Sequence, residues 1–393
     1  MLSMKLETEQ LLAPAARADR MRQRFREKFG GEPELWARAP GRVDLMGSHT
    51  DYNRGFVLTL PLSRETWIAA RLSRQPVASV HSINLDADDR FPLESIRRAD
   101  QRWGDYVRGV VATLMEAGFR CPGFDAVIHS TVPIGSGLSS SAALECATAV
   151  VCRALGGWQL DPCRMAELCQ QAENKFVGVN CGILDQYSSC LGRQGCALLL
   201  DCSDLSNRPV HIAEGIRVVI CDTRTPRELH AGDYARRRAQ CEQGAAALGV
   251  PALRFATEQD LEASSLSGDV LKRCRFIVAE NARVLALAAA LESGDRQAIG
   301  ALCRGSFTGA RDLFEICSPS MSAMMNGMSN ARGAIGARQA GAGFGGCMVA
   351  LVDADRTEDF RDDVSAAYER ATGIPPEIYA VEAAPAAGLM QAP

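Results

Sequence analysis

Pro133-Ile134-Gly135-Ser136-Gly137-Leu138-Ser139-Ser140-Ser141-Ala142-Ala143-Leu144-Glu145 reads as a glycine- and serine-rich loop that opens directly into a helix. Gly135 and Gly137 let the backbone turn so that successive N–H groups face one concavity. The helix that follows adds its positive N-terminal end, and together these suit a phosphate group. The stretch is not the common P-loop, because no Gly-Lys-Ser/Thr follows the glycines. Nor is it the dinucleotide fingerprint, since Gly-x-Gly-x-x-Ser lacks the third glycine. Taken alone, such a loop is equally compatible with a small-residue helix start that binds nothing.

Two further stretches decide between these readings. One lies upstream, Ala39-Pro40-Gly41-Arg42-Val43-Asp44-Leu45-Met46-Gly47-Ser48-His49-Thr50-Asp51-Tyr52-Asn53, and the other near the end, Gly341-Ala342-Gly343-Phe344-Gly345-Gly346-Cys347-Met348-Val349-Ala350-Leu351. In this order the three motifs resemble those of the small-molecule kinase superfamily of galactokinase, homoserine kinase, mevalonate kinase and phosphomevalonate kinase, the GHMP kinases. The His49-Thr50-Asp51-Tyr52-Asn53 run narrows the resemblance to the galactokinase family. It covers nearly the whole chain, from Arg38 to Leu351.

Composition agrees with that class. A chain of 393 residues holds two or three domains with sizeable cores. A formal net charge of -4 and a pI of about 5.9 argue against nucleic acid or an anionic membrane as partner. No run of about eighteen apolar residues occurs, as a spanning helix needs. Glu7, Glu9 and the arginine-rich stretch 17–28 interrupt the apolar core a signal peptide would need. The fifteen cysteines include no Cys-x-x-Cys pair and scatter among Ala, Val and Leu, the pattern of reduced thiols in a cytoplasmic protein.

Residue patterning predicts alternating helices and strands without repeats. Helices are expected over 7–29, 103–117, 141–155, 164–176 and 234–248, with more between 269 and 304. Strands are expected over 35–38, 55–62, 66–72, 124–130, 197–201, 217–221 and 347–352, with Pro61 breaking the second from the third. The polar, turn-rich stretch 204–209 suggests a domain boundary. The resemblance goes further and implies an α+β, two-domain GHMP kinase fold. An N-terminal α/β domain (1–205) stands beside a ferredoxin-like C-terminal domain (206–393), with the active site in the cleft between them.

The resemblance also implies an ATP-dependent sugar 1-kinase that uses Mg2+. Phosphoryl transfer needs a phosphate cradle, a metal, a group to orient the attacking hydroxyl, and charge stabilisation. Gly135, Ser136, Gly137, Leu138, Ser139, Ser140 and Ser141 match the cradle. Ser140 and Glu173 match the metal ligands, although a helix glutamate such as Glu173 is ordinarily a solvated surface group. Asp185, in Cys181-Gly182-Ile183-Leu184-Asp185-Gln186, matches the base, with Asn180 where a proline is common. Arg42 matches the cation beside it; a plain interdomain salt bridge is the alternative for Arg42. Trp103, with Tyr106, matches a segment near the adenine, or else is core aromatic. On the sugar side Ser48, His49, Asp51, Gly182 and Tyr234 match binding positions, Tyr234 lying within the similar segment at 227–238.

Three departures fall on that side. Ser48 stands where the family carries a glutamate that accepts from the sugar's 6-hydroxyl. Asp44 replaces an asparagine, and the family's Cys-Pro-Glu pattern is disturbed at 313–321. They suggest a kinase for galactose, or for a relative altered at C6 such as galacturonate or L-arabinose. A catalytically silent sugar sensor is a further reading, disfavoured because every catalytic group is present. The partners expected are a sugar and ATP, with no nucleic acid and no membrane, in a monomer or weak homo-oligomer.

Overall fold

The computed structural model describes residues 13–99, 102–225, 232–341 and 343–391. A first helix, α1 (Pro14–Phe29), leads into a long antiparallel pair, β1 (Leu35–Met46) and β2 (Phe56–Leu72). Around this pair grows an eight-stranded sheet, counted among the described residues. It runs β12-β1-β2-β5-β3-β4, with β6 and β7 continuing from β2. The added strands are β3 (Val77–Ser82), β4 (Ala87–Pro92), β5 (Phe124–Ser130), β6 (Cys196–Asp201), β7 (Asn207–His211) and β12 (Gly388–Met390). Helices α2 (Arg102–Glu116), α3 (Ser140–Gly156), α4 (Pro162–Gln171) and α5 (Leu184–Leu191) cover it. Their apolar stripes, among them Val107, Val110, Val111, Ala147 and Val150, bury against Ile68, Val80 and Ala126.

The second half forms a four-stranded antiparallel sheet in the order β11-β8-β10-β9, from β8 (Ile216–Asp222), β9 (Ala334–Gln339), β10 (Cys347–Asp353) and β11 (Glu377–Val381). Alternation along its strands separates two cores. Val219, Cys221, Met348 and Ala350 face Met321, Met324 and Met328 of α10 (Pro319–Asn330) and Phe360 and Val364 of α11 (Thr357–Thr372). Val218, Ile220, Val349 and Leu351 face the other way. They pack against Val43, Leu45, Leu58 and Leu60 of the first sheet and, past α6 (Asp233–Ala247) and the short α7 (Glu258–Ala263) in the chain, against α8 (Gly268–Ser293) and α9 (Arg296–Asp312). The halves therefore share one apolar core, which holds the cleft walls in fixed register. This is the α+β GHMP kinase fold, with an α/β N-terminal part and a ferredoxin-like C-terminal sheet.

Four expectations change. Pro61 does not break the strand, because β2 itself bulges beside it, three residues (62–64) standing opposite Gly41 alone, and the proline's missing N–H falls where the ladder is already irregular. The strand expected at 35–38 runs on through the motif to Met46. Helix 164–176 ends as α-helix at Gln171 and continues as a π-helical turn, Ala172–Val177. Lastly, a division at 205/206 falls between two strands of one sheet, since β7 still pairs with β6, and β12 returns from the far end of the chain to pair with β1. The expected helix start at 7–12 lies outside the described residues.

Candidate active site

Arg42 pairs with Pro61 where the β1–β2 ladder resumes after the bulge in β2, and its backbone N–H donates to Leu138 O at 3.1 Å. Its side chain donates from Nε to Asp185 Oδ1 at 2.8 Å, from Nη2 to the same oxygen, and from Nη1 to Gly137 O at 2.7 Å. Asp185 sits in the first turn of α5, and its other oxygen accepts from Ser139 Oγ at 2.6 Å. The carboxylate is thus gripped on both oxygens, yet it still lines a cleft of about 590 Å³ that runs between the halves. Gly135 and Gly137 have φ of +78° and +90°, and Ser139 is held left-handed at +60°. A serine tolerates that conformation poorly, so the loop's shape is maintained by the structure around it.

Beneath Asp185 lies a group of carboxylates. The π-helical turn carries Glu173 inward, where it is 4% exposed, so it is not a solvated surface group. Gln186 Nε2 bridges Glu173 Oε2 at 2.8 Å and Glu145 Oε2 at 2.9 Å, and the Cys181 thiol adds a 3.1 Å contact to Glu173. Burial, and then each other's charge, push Glu145 well above the usual carboxylate range; burial does the same in direction for Glu173. Glu145 Oε1 has no hydrogen-bond partner among the described residues. Such crowded, part-unsatisfied carboxylate oxygens, with serine hydroxyls at the loop, suit a small hard cation such as Mg2+. The hydroxyl bonded to Glu173 is that of Ser141; Ser140, one residue earlier, also lines the cleft.

At one end of the cleft Asp51 faces Gly182. A Cβ on Gly182 would lie 1.8 Å from Asp51 Oδ2, so only glycine fits there. Burial raises the Asp51 carboxyl to about 6. His49, at φ +66°, stacks with Phe314 (4.7 Å) and Tyr234 (5.5 Å), and its Nδ1 lies 3.0 Å from the Tyr52 hydroxyl. Tyr234 projects from α6 (Asp233–Ala247) and lines the cleft; residues 226–231 before it lie outside the described set. The opposite end is apolar. Leu85, Ile134 and Val179 are 45%, 58% and 38% exposed and line the cleft with Trp103 and Tyr106. Exposed apolar walls of this kind suit a flat, apolar-faced group such as a purine.

Most of the expected residues therefore meet in one place: Arg42, Ser48, His49, Asp51, Trp103, Gly135, Gly137, Ser139, Ser140, Ser141, Glu173, Gly182, Asp185 and Tyr234 all line the cleft. Ser136 and Leu138 do not. Ser136 turns its hydroxyl onto Pro133 O at 2.9 Å, and Leu138 is fully buried in the shared core, so both bring only backbone to the loop. Ser48 lines the cleft, but its hydroxyl is tied to Asp44 Oδ2 at 2.8 Å and to Arg338 Nη2 at 2.8 Å. The disturbed segment at 313–321 is structural, Ser318 capping α10 and Phe314 backing His49. Sequence reasoning missed Glu145, Gln186, Arg338 and the pairing of Ser139 with Asp185. Glu145 carried a signal, being a lone acid in an otherwise small and apolar helix.

Comparison with known proteins gives a consistent result. The family described as "GHMP kinases N terminal domain" matches residues 105–193, "GHMP kinases C terminal" matches 287–370, and "Galactokinase galactose-binding signature" matches 23–72. The chain is 41% identical over 375 residues to a galactokinase of Roseiflexus sp. (strain RS-1), covering 94% of this chain and 96% of that one. With a galactokinase of Streptomyces coelicolor it shares 43% over 385 residues, covering 93% and 96%. The structure of Lactococcus lactis galactokinase complexed with galactose superposes with a TM-score of 0.89 at 30% identity, covering 93% of this chain and 98% of that one. Methanococcus jannaschii mevalonate kinase, at 16% identity and a TM-score of 0.64 over 90% of this chain and 99% of that one, shares the fold.

Proposed function

The chain belongs to the galactokinase family of the GHMP kinases, and on that premise we propose that it transfers the γ-phosphoryl group of ATP to the anomeric hydroxyl of galactose. The observation that carries this reading is Asp185, fixed between Arg42 and Ser139 where the sugar end of the cleft meets the phosphate loop. A carboxylate oriented on both oxygens can accept a hydrogen bond from an incoming hydroxyl and take its proton as the new O–P bond forms. The transition state is loose, so this proton leaves late and orientation matters more than basicity. The Arg42 guanidinium offsets the charge that develops between the aspartate and the transferring group. The amides of the loop from Gly135 to Ser141 receive the phosphates, and the apolar end takes the adenine beside Trp103.

Glu173, with Ser141 or its neighbour Ser140, would hold Mg2+, which when bound offsets the negative charge of the phosphate oxygens. Asp51, His49, Gly182 and Tyr234 select the sugar: a carboxylate can accept from two neighbouring ring hydroxyls at once. No helix of the described residues is long and apolar enough to cross a membrane. A cytoplasmic setting rests on the fifteen free cysteines, and a monomer or weak homo-oligomer on a cleft that one chain lines from both halves. The silent-sensor alternative has nothing in its favour, since Arg42, Ser139, Glu173 and Asp185 are all in place. Magnesium-dependent ADP release with galactose, L-arabinose, galacturonate and N-acetylgalactosamine tests the reading. Galactose is expected to give the highest kcat/KM, and release indifferent to sugar would refute it.

A further inference from the structure

Beside the sugar end lies a buried ionic cluster that phosphoryl transfer does not use. Arg338, on β9 and 1% exposed, donates to Ser306 Oγ at 3.0 Å, to Glu280 Oε1 at 3.2 Å, to Asp44 O at 3.2 Å and to Ser48 Oγ at 2.8 Å. Its Nη1 also lies 3.7 Å from Asp44 Oδ2. Glu280 accepts in addition from Arg283 Nε at 2.7 Å. Two guanidinium groups thus face two carboxylates, and the cluster balances in formal charge. Burial pushes the Asp44 carboxyl up, while Arg338, the Ser48 hydroxyl and Arg42 act against that rise. Asp44 is 1% exposed, lines the cleft, and its Oδ1 has no hydrogen-bond partner among the described residues.

Ser48 has one proton and two lone pairs. Arg338 uses one lone pair, and the proton goes to Asp44 Oδ2 or Gly341 O, each 2.8 Å away. Toward the cleft Ser48 therefore offers one acceptor lone pair and no proton, with a carboxylate directly behind it. The family's pattern at these two positions, asparagine and glutamate, also carries one carboxylate. In this chain the charge has moved back by four residues rather than disappeared.

We propose that Asp44, acting through Ser48 and balanced by Arg338, is the specificity-determining residue for the substituent at C6, admitting a neutral hydroxyl and rejecting a carboxylate. The proposal rests on the sugar-kinase reading and on residue 48 occupying its matched position. It replaces the expectation that loss of a glutamate at 48 opens the site to galacturonate. A C6 carboxylate would meet a lone pair backed by a like charge, in a place where water screens little.

The test compares kcat/KM for galactose, galacturonate and L-arabinose in the wild type, D44N, S48E and the double variant D44N/S48E. The wild type is expected to use galacturonate at least ~100-fold less well than galactose. D44N leaves Arg338 with less opposing charge, so the galacturonate-to-galactose ratio rises by at least ~10-fold, while the L-arabinose-to-galactose ratio moves by less than ~3-fold because L-arabinose has no C6 group. S48E alone sets three carboxylates against two guanidiniums and lowers kcat/KM for galactose; the double variant, which restores the charge count, recovers at least ~10-fold of that loss. A D44N ratio equal to that of the wild type, a wild type that uses both sugars equally, or a double variant no better than S48E overturns the proposal. If D44N does not fold, as a thermal melt would show, the double variant against S48E carries the decision. Failure of every variant and the wild type to phosphorylate galactose would instead count against the sugar-kinase reading itself.

Discussion

The two ends of the cleft are built on different plans. The end proposed to take the phosphates comes mostly from one continuous stretch, which offers backbone amides, the N-terminal end of α3 and neighbouring serine hydroxyls. The sugar end is assembled from side chains within residues 44–51 and at Tyr234, with backbone at Gly182 and Gly341, and is braced by the buried ion pairs of Arg338. Backbone sites tolerate changes of side chain, whereas side-chain sites depend on every member of the network being satisfied. Substitutions at the two ends should therefore separate cleanly in kinetics.

The largest effect is expected where the two ends meet. Asp185→Asn keeps the shape but cannot take the hydroxyl proton or hold Arg42 as an anion. It should lower kcat by at least ~10³-fold with ATP binding, measured by calorimetry, near wild type. Near-normal turnover would remove Asp185 from the mechanism. Next comes Gly182→Ala, whose new Cβ would collide with Asp51 Oδ2. A rise of ~10- to 100-fold in the galactose KM with little change in the ATP KM is expected. Equal damage to both substrates would show that the two ends are not separable.

Ser139→Ala sharpens the comparison from the phosphate side. The serine lies in the phosphate loop but donates to Asp185, so kcat should fall by ~10-fold while the ATP KM stays close to wild type. A change confined to the ATP KM would make it a plain loop residue.

How far each end could be read from the sequence follows the same division. The loop Gly135–Ser141 and the helix after it are local in the chain, and their chemistry follows from residue type and order. The strands at 124–130 and 347–352 were equally plain, from short apolar runs and alternation. Continuity of β2 through Pro61 was not, because it depends on a bulge that the pairing with β1 forces beside the proline. The membership of β7 in the first sheet depends likewise on a pairing that turn-rich composition conceals. At the sugar end the sequence showed that Ser48 and Asp44 depart from the family pattern. It could not show that Arg338, about 290 residues away, joins the two into one unit. The inward turn of Glu173 was also hidden, since a π-helical turn leaves no composition signal.

The smallest expected effect is a pH dependence. Asp51 must be ionised to accept from two sugar hydroxyls, and burial raises its carboxyl to about 6. Above that value the acceptor is present; below it the group is protonated and sugar binding weakens. The kcat/KM for galactose should therefore fall as pH drops through about 6, with the ATP KM flat over the same range. A flat profile for both substrates would leave Asp51 a structural group.

The central claim, that the gripped Asp185 directs ATP's terminal phosphoryl group onto the anomeric oxygen, is tested most directly by phosphorus NMR of the product from galactose, ATP and Mg2+. The account predicts one new phosphomonoester resonance split by coupling to the anomeric proton, growing in step with ADP and absent with Asp185→Asn. A phosphomonoester coupled to the C6 protons, or inorganic phosphate alone, would contradict it.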